Sequence, residues 1–401
     1  MNVNETVQFE FWFGKYLPKI HLLNVLPKGR NPLEWVQYVL KYWLFHPIKR
    51  HVARFWLKIL KRRGLEVIAI TGSAGKTTTR SLLEAVLSEK FNVVTTSENL
   101  DPIYNIPSTI LRCRFNTQIL ILELGIEFPL EMDHYLWLAE PDYAILTSLG
   151  EVHGEFLGGS EGIKIEKLKL VHFPSVKKIY LNNYNQGILD AFGKINPTKI
   201  KPQNVTLTLE KGTEFRLTDE SSMKFQIPFL GEQFVQNALL VIRIGRDLGL
   251  TYDKIRVGLS KTKLPPHRMI VHKIDDWYLI DDSYNSNPTA CRESLKTLAA
   301  VSKGQTIAVL GEMKELGEKS DEYHLGIGEL IGELKITHLI GFGGGLAGLL
   351  SKADERGVKT FKVDTVDGTQ KEIQRLVQKD SIVLVKGSRS LKMERIVEGM
   401  I

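Results

Sequence analysis

The eight residues Thr71-Gly72-Ser73-Ala74-Gly75-Lys76-Thr77-Thr78 constrain this chain more than any other stretch. They follow a short apolar run, Val67-Ile68-Ala69-Ile70, and precede a helix-like segment from Thr78 to Leu87. A strand, a glycine turn and a helix in that order are what a phosphate-binding loop needs. Glycines let the backbone curl so that several N–H groups face one anion, and the helix N-terminus adds partial positive charge. Lys76 would reach the β- and γ-phosphates of a nucleotide, and the Thr77 hydroxyl would ligate Mg²⁺. In the common pattern G-x-x-x-x-G-K-[ST] the first position is Gly; here it is Ile70. An ordinary turn is the alternative, and the strand before and helix after favour a nucleotide.

The chain around this loop reads as α/β. Ile119 to Leu122 and Tyr143 to Leu146 are further short apolar runs of the kind that form buried parallel strands. Residues 201–230 differ, with polar–apolar alternation such as VTLTL that suggests a small antiparallel insert. A second α/β unit begins near Pro265-Pro266, with strand candidates Trp277 to Ile280, Thr306 to Leu310, His338 to Ile340 and Ile382 to Val385. At 401 residues the chain has room for two to four domains. Its two cysteines, Cys113 and Cys291, form no disulfide or metal framework, which fits a reducing compartment.

Residues 1–64 stand apart. The net charge is 53 − 46 = +7, yet residues 1–65 alone carry 12 Lys/Arg against 3 Asp/Glu, so +9. Four of the six tryptophans lie there, Trp12, Trp35, Trp43 and Trp56. From Lys49 to Arg63 the pattern is amphipathic, with Val52, Phe55, Trp56, Ile59 and Leu60 at helical spacing. A basic helix with Trp and Leu on its apolar face can lie in a membrane interface. The alternative is a helix docked on the next domain with its lysines in water. There is no secretory signal pattern and no run of about 18 uncharged apolar residues, so no spanning helix is expected.

Nine separated motifs, in order, resemble those of the Mur ligase family. The loop T-G-S-A-G-K-T-T is the first. Asp101 with Asn105-Ile106-Pro107, preceded by Glu98-Asn99-Leu100, resembles GNxNNxxGxP, with departures that include Glu98, Pro102 and Asn105. Glu123-Leu124-Gly125 resembles E-x-G, and Pro141 to His153 resembles P-x-x-A-x-[IL]-T-x-[IL]-x-x-x-H. Gly159 to Lys167 resembles G-S-x-E-x-I-x-x-x-K, with Gly159 at the Ser position. Gly231-Glu232-Gln233 with Asn237-Ala238 resembles G-x-H-x-x-x-N-A, with Gln233 replacing His. Asp281 to Pro288 is close to D-D-x-Y-N-A-N-P, and Leu310 to Gly317 with His324 resembles L-G-D-M-x-E-L-G…H. Lys386-Gly387-Ser388-Arg389 resembles the closing V-K-G-S-R. The last three point to the branch that adds D-Ala-D-Ala to a UDP-MurNAc-tripeptide. Residues 1–64 match no UDP-binding domain of that branch.

The resemblance implies an α/β fold in three parts. A helical basic extension, residues 1–64, precedes a central P-loop ATPase domain with a parallel sheet, residues 65–263, and a C-terminal Rossmann-like domain, residues 264–401. It also implies roles. Thr71, Gly72, Ser73, Ala74, Gly75, Lys76, Thr77 and Thr78 would hold ATP, with Asn237 at the adenine, Asp282 near the ribose and Arg268 at the γ-phosphate. Glu123, His153 and Lys167 would join Thr77 in holding Mg²⁺, Lys167 being carbamylated in the family. Lys76, Glu123, His153, Lys167 and Arg268 would carry the catalysis. Tyr284, Asn285 and Asn287 would line the substrate cleft, and Lys386, Ser388 and Arg389 would grip an amino-acid carboxylate, for which Arg is suited. From the residues alone, Lys164 to Lys169 reads as a charged helix face, and Lys164 and Lys169 compete with Lys167.

The reaction implied is ATP-driven amide formation through an acyl phosphate, in a cytoplasmic monomer whose residues 34–63 could contact the inner face of the membrane. Three alternatives stand beside it. One is a related ligase with a non-UDP or lipid-linked acceptor. Another is an ATP-binding scaffold. The third, nucleic-acid binding, is disfavoured because the charge sits in one segment and outside it the balance is 41 against 43.

Overall fold

The computed structural model describes residues 10–13, 17–18, 20–27, 29, 31–97, 101–149, 157, 159–181, 202–217 and 223–401. The chain divides into two compact units, one of residues 1–199 with 240–258, the other of residues 200–239 with 259–401.

The first unit is built on five parallel strands in the order β2-β3-β1-β4-β5. These are β1 (Glu66–Thr71), β2 (Val93–Thr95), β3 (Ile119–Glu123), β4 (Tyr143–Leu146) and β5 (Lys178–Leu181). Five of the six β1 residues are buried, because helices cover both faces of a parallel sheet. Strand β1 is flanked on one side by β3, with Ile70 opposite Glu123, and on the other by β4, with Thr71 opposite Leu146. Everything following β1 therefore emerges between the ends of β3 and β4, where ligands of open parallel sheets bind. The Lys76–Leu87 helix follows at once.

The N-terminal segment packs on this unit as consecutive helical pieces, Pro32–Tyr38, Val39–Phe45 and His46–Lys61. The middle piece is a π-helix, and Pro47 explains it. Residue 47 has no N–H for the carbonyl of Trp43, so the ladder widens there. The carbonyl freed in this way accepts a hydrogen bond from the Trp12 indole.

The His46–Lys61 helix is docked, but its lysines are not all in water. Arg50 donates to the Phe13 carbonyl at 3.1 Å. Lys49 reaches Ser108 Oγ at 2.6 Å, Arg54 reaches Glu140 at 2.9 Å and Lys61 pairs with Asp142 at 3.1 Å. The inner face holds Arg50, Ala53, Leu57 and Leu60, whereas Val52 and Phe55, which the spacing places on the apolar packing face, are exposed. The helix is rotated relative to that reading because its basic side chains find carbonyl and carboxylate partners on the protein.

The second unit holds β6 (Pro202–Thr208), β7 (Gly212–Leu217) and β8 (Lys224–Ile227), the antiparallel insert the alternation indicates. It also holds a six-stranded sheet ordered β13-β12-β11-β14-β10-β9. Its strands are β9 (Ile270–Ile274), β10 (Trp277–Asp281), β11 (Thr306–Gly311), β12 (His338–Phe342), β13 (Lys359–Val363) and β14 (Ile382–Lys386). All neighbours pair in parallel except the β9–β10 hairpin. Strands β11, β12 and β14 are buried throughout. This is the α/β fold with a parallel sheet and a second sheet domain that the sequence implies.

Candidate active site

In the first unit the loop between β1 and the Lys76–Leu87 helix is pressed onto the segment after β4. Gly72 has φ +152°, and a Cβ there would come within 2.1 Å of Thr147 Oγ1, so only glycine fits. Gly75 caps the helix at φ +81°. Thr147 Oγ1 donates to the Ala74 carbonyl at 2.6 Å, and the Ala74 N–H donates to Ser148 Oγ at 2.7 Å. The Ser73 N–H donates to the Ser148 carbonyl at 3.0 Å. Thr147 and Ser148 thus set the loop's shape; Thr147 is the fixed Thr of the Pro141 to His153 motif, whereas no motif singles out Ser148.

The predicted side chains of this unit that the structure describes converge on this loop. Thr71, whose hydroxyl donates to the Leu124 carbonyl at 2.9 Å, ties β1 to the end of β3. Lys76 Nζ donates to the Gly72 carbonyl at 2.8 Å and so arches over the loop. Thr77 Oγ1 donates to Glu123 Oε1 at 2.8 Å, and Thr78 is buried behind them. Arg80, one helical turn on and buried, lies 3.4 Å from the other Glu123 oxygen. Sequence reasoning gave Arg80 no part, and its only signal is a spacing of three from Thr77.

Lys167 reaches in from the Gly159–Val171 helix and donates to Ser73 Oγ at 2.8 Å. Burial, and then the nearby Lys76 charge, lower its pKa from 10.5 to about 6. It is therefore largely a neutral amine at pH 7. Its competitors are occupied elsewhere. Lys164 lies 3.6 Å from Glu161, and Lys169 bonds Asp133 and Glu166. His153 lies outside the described residues, as do Glu98, Asn99 and Leu100.

These residues fit a nucleotide phosphate. There is a cradle that a Cβ would fill, a helix N-terminus whose first N–H groups have no intrahelical acceptor, and an ammonium above it. They also fit a hard divalent cation, because the Thr77 hydroxyl and the Glu123 carboxylate already touch. Among the described residues no cluster of three His, Cys, Asp or Glu offers another metal site.

In the second unit the predicted residues gather at the carboxyl ends of the adjacent strands β10 and β14. Asp282 Oδ2 accepts from Lys386 Nζ at 2.6 Å and from Ser294 Oγ at 2.6 Å, in a buried group. Lys386 Nζ also donates to the Asn285 carbonyl at 2.9 Å. The Arg268 guanidinium lies 4.1 Å from the Tyr284 ring centre, and that of Arg389 lies 5.4 Å from it. Asn285 Oδ1 accepts from the Arg389 N–H at 3.2 Å, and Asn287 caps the Pro288–Val301 helix. Ser388 Oγ accepts from the Lys314 N–H at 2.7 Å. Asn237, in the Glu232–Asp247 helix, is buried and stands apart from this group in sequence and element.

His324 in the L-G-E-M motif is structural. Its Nε2 accepts from the Met313 N–H at 3.0 Å, so its proton is on Nδ1, which faces the Ser320 carbonyl at 2.8 Å.

Comparison with known proteins agrees with this geometry. Residues 70–245 match the Mur ligase middle domain, and residues 267–389 match the Mur ligase, glutamate ligase domain. The chain is 31% identical over 358 residues to the UDP-N-acetylmuramoyl-tripeptide--D-alanyl-D-alanine ligase of Bacillus subtilis, covering 85% of this chain and 77% of that one. The fold superposes on a crystal structure of MurF from Acinetobacter baumannii with TM-score 0.78 at 26% identity, covering 88% of this chain and 80% of that one. MurF from Thermotoga maritima in complex with ADP superposes with TM-score 0.76 at 26% identity, covering 88% and 82%. A strand-born phosphate loop faced by Glu123 and a buried lysine, followed by a second parallel-sheet unit, is thus found with both halves of one family's signature, and the chain belongs to the Mur ligase family of ATP-dependent ligases.

Proposed function

We propose that this chain joins D-Ala-D-Ala to the terminal carboxylate of a UDP-MurNAc-tripeptide at the expense of ATP. The relatives' named activity supports this reading, and one observation carries it at the site: Glu123 and the neutral Lys167 both border the Lys76 loop. An acceptor carboxylate oxygen attacks the γ-phosphorus and ADP leaves. The dipeptide amine then attacks the acyl carbon, phosphate leaves, and the nitrogen loses a proton. Both partners of the first step are anionic, so cations must gather there.

The loop from Thr71 to Thr78 would cradle the phosphates, with Lys76 neutralising them. Thr77, Glu123, His153 and a carbamylated Lys167 would hold Mg²⁺, which supplies charge neutralisation. The uncharged Lys167 amine is the form that takes up CO₂. Glu123 would be held for this role by Arg80. Asn237 would meet the adenine, Asp282 the ribose and Arg268 the γ-phosphate. Tyr284, Asn285 and Asn287 would line the substrate site with Ser388 and Arg389. Lys386 would act there chiefly by holding Asp282, given their 2.6 Å contact. By role the chain divides into residues 1–64, 65–263 and 264–401, and it works as a monomer in the cytoplasm.

A second reading keeps the chemistry and changes the acceptor to a lipid-linked or other non-UDP carboxylate. It is supported by residues 1–69, which lie outside both family matches. The purified protein, Mg²⁺-ATP, UDP-MurNAc-tripeptide and D-Ala-D-Ala should give the pentapeptide by mass spectrometry, and Lys76→Ala should abolish it. ATP turnover with another acceptor and none with this one would select the second reading.

A further inference from the structure

The helical pieces from Pro32 to Lys61 are apolar on both faces, with Ala53, Leu57 and Leu60 buried in the core of the first unit. Their basic side chains Lys49, Arg50, Arg54 and Lys61 bind the protein, as described above, while their outer face is apolar. Val36, Leu40, Leu44, Ile48, Val52 and Phe55 follow one another at spacings of four, four, four, four and three, which sets them in one stripe. All six are exposed, Phe55 at 67%. Trp35 and Trp43 flank the stripe and are also exposed. Contiguous apolar surface of this kind marks an interaction site.

Charge selects the occupant. Lys41, Lys58, Arg62 and Arg63 stand exposed beside the stripe, Lys58 three residues after Phe55. Glu34 is the one acidic residue between positions 31 and 64. A second copy of the chain on a two-fold axis would set these cations against each other. An anionic bilayer surface would receive both the cations and the stripe, with Trp at the interface level. No helix among the described residues is long and apolar enough to cross a membrane, so the segment would lie along it.

We propose that residues 33–63 dock the first unit onto an anionic lipid bilayer through this outward apolar stripe and its flanking cations. The inner face is fixed to the protein by Trp56 Nε1, which donates to the Cys113 carbonyl at 3.0 Å, and by the contacts of Lys49 and Arg54. Membrane binding would therefore carry the phosphate loop with it, rather than tether it through a free arm.

The test is cosedimentation of the full chain, without nucleotide or acceptor, so that its outcome is independent of the ligase reading. The probes are vesicles of phosphatidylcholine with about one-third phosphatidylglycerol, and vesicles of phosphatidylcholine alone. The protein should sediment with the anionic vesicles and be released as salt rises. Leu40→Glu with Phe55→Glu should lower the bound fraction at least about tenfold. Both positions are exposed, so thermal unfolding should be unchanged, and an unchanged melting curve keeps the result interpretable. Lys58→Glu with Arg62→Glu should weaken anionic binding alone. Absence of sedimentation at low salt, or binding untouched by Leu40→Glu with Phe55→Glu, would overturn the proposal. So would dimerisation in light scattering that this pair abolishes while lipid binding is nil.

Discussion

Lys167 Nζ donates to Ser73 Oγ at 2.8 Å, which places an amine from a distant helix against the phosphate loop. The amine is buried and sits beside the Lys76 charge, and both lower its pKa to about 6. Only the neutral amine reacts with CO₂, so carbamylation should require a pH above about 6. Incubation with ¹³C-bicarbonate should give one carbamate resonance that is lost in Lys167→Ala and fades below pH 6. Because the folded pKa lies below the unfolded value of 10.5, the native state gains stability as pH rises from about 6 towards 10.5. Lys167→Met should remove that gain, which denaturant titrations at pH 6 and 9 would reveal.

Thr77 and Glu123 share a hydrogen bond of 2.8 Å, with Arg80 behind the carboxylate. Glu123→Gln keeps the shape and removes the charge. It should lower ADP release at least about 100-fold and raise the Mg²⁺ concentration needed for half activity. Arg80→Lys should do the same more weakly, since an ammonium cannot reproduce the guanidinium's contacts. A Mg²⁺ titration of each variant at saturating ATP checks both.

His21 lies 2.6 Å from Glu131 and 3.6 Å from Asp101, which caps the Pro102–Arg112 helix. Burial alone would lower its pKa, but the hydrogen bonds to Asp101 and Glu131 outweigh it and raise the pKa to about 9. The folded value is above the unfolded 6.5, so this stabilisation is complete below about pH 6.5 and lost as pH rises through 9. His21→Ala should cost about 3 kcal/mol at pH 6, because it leaves a buried carboxylate without its partner. The difference from wild type should shrink by pH 9.5 in thermal or urea unfolding.

Asp282 and Lys386 form a buried pair at 2.6 Å. Removing one member strands a charge, so Lys386→Met alone should destabilise by about 3 kcal/mol. Asp282→Asn with Lys386→Met should recover much of this. A double-mutant cycle by urea unfolding gives the coupling, and activity measured on the refolded double variant separates positioning from folding.

Apart from the alternation that marks the antiparallel insert, the seven strands that read clearly from sequence are the interior ones of the two parallel sheets. Val67–Ile70, Ile119–Leu122 and Ile382–Val385 are continuous apolar runs because both sheet faces are covered. The four strands that do not read, Val93–Thr95, Lys178–Leu181, Ile270–Ile274 and Lys359–Val363, are the four sheet edges. Edges are half exposed, and three of the four carry lysines that break the run while Val93–Thr95 is only three residues long. The site divides the same way. The loop and Glu123 follow from local pattern, as strand ends beside a glycine turn. Choosing Lys167 over Lys164 and Lys169 does not, since that depends on which way a helix faces. Ser148 and Arg80 are selected by partners on other elements, which spacing does not reveal, and Thr147 is marked by its motif but not its role against the loop. The N-terminal helix misleads because Arg50, Lys49, Arg54 and Lys61 find partners on the protein beside buried Ala53, Leu57 and Leu60, which turns Val52 and Phe55 outward.

The most direct test of the central claim is to follow ADP and pentapeptide together in one reaction with Mg²⁺-ATP, UDP-MurNAc-tripeptide and D-Ala-D-Ala. The account predicts equal amounts of the two, ADP release that needs the acceptor, and loss of both in Glu123→Gln. ADP formed at the same rate without any acceptor, or no pentapeptide from a folded protein that binds ATP, would contradict it.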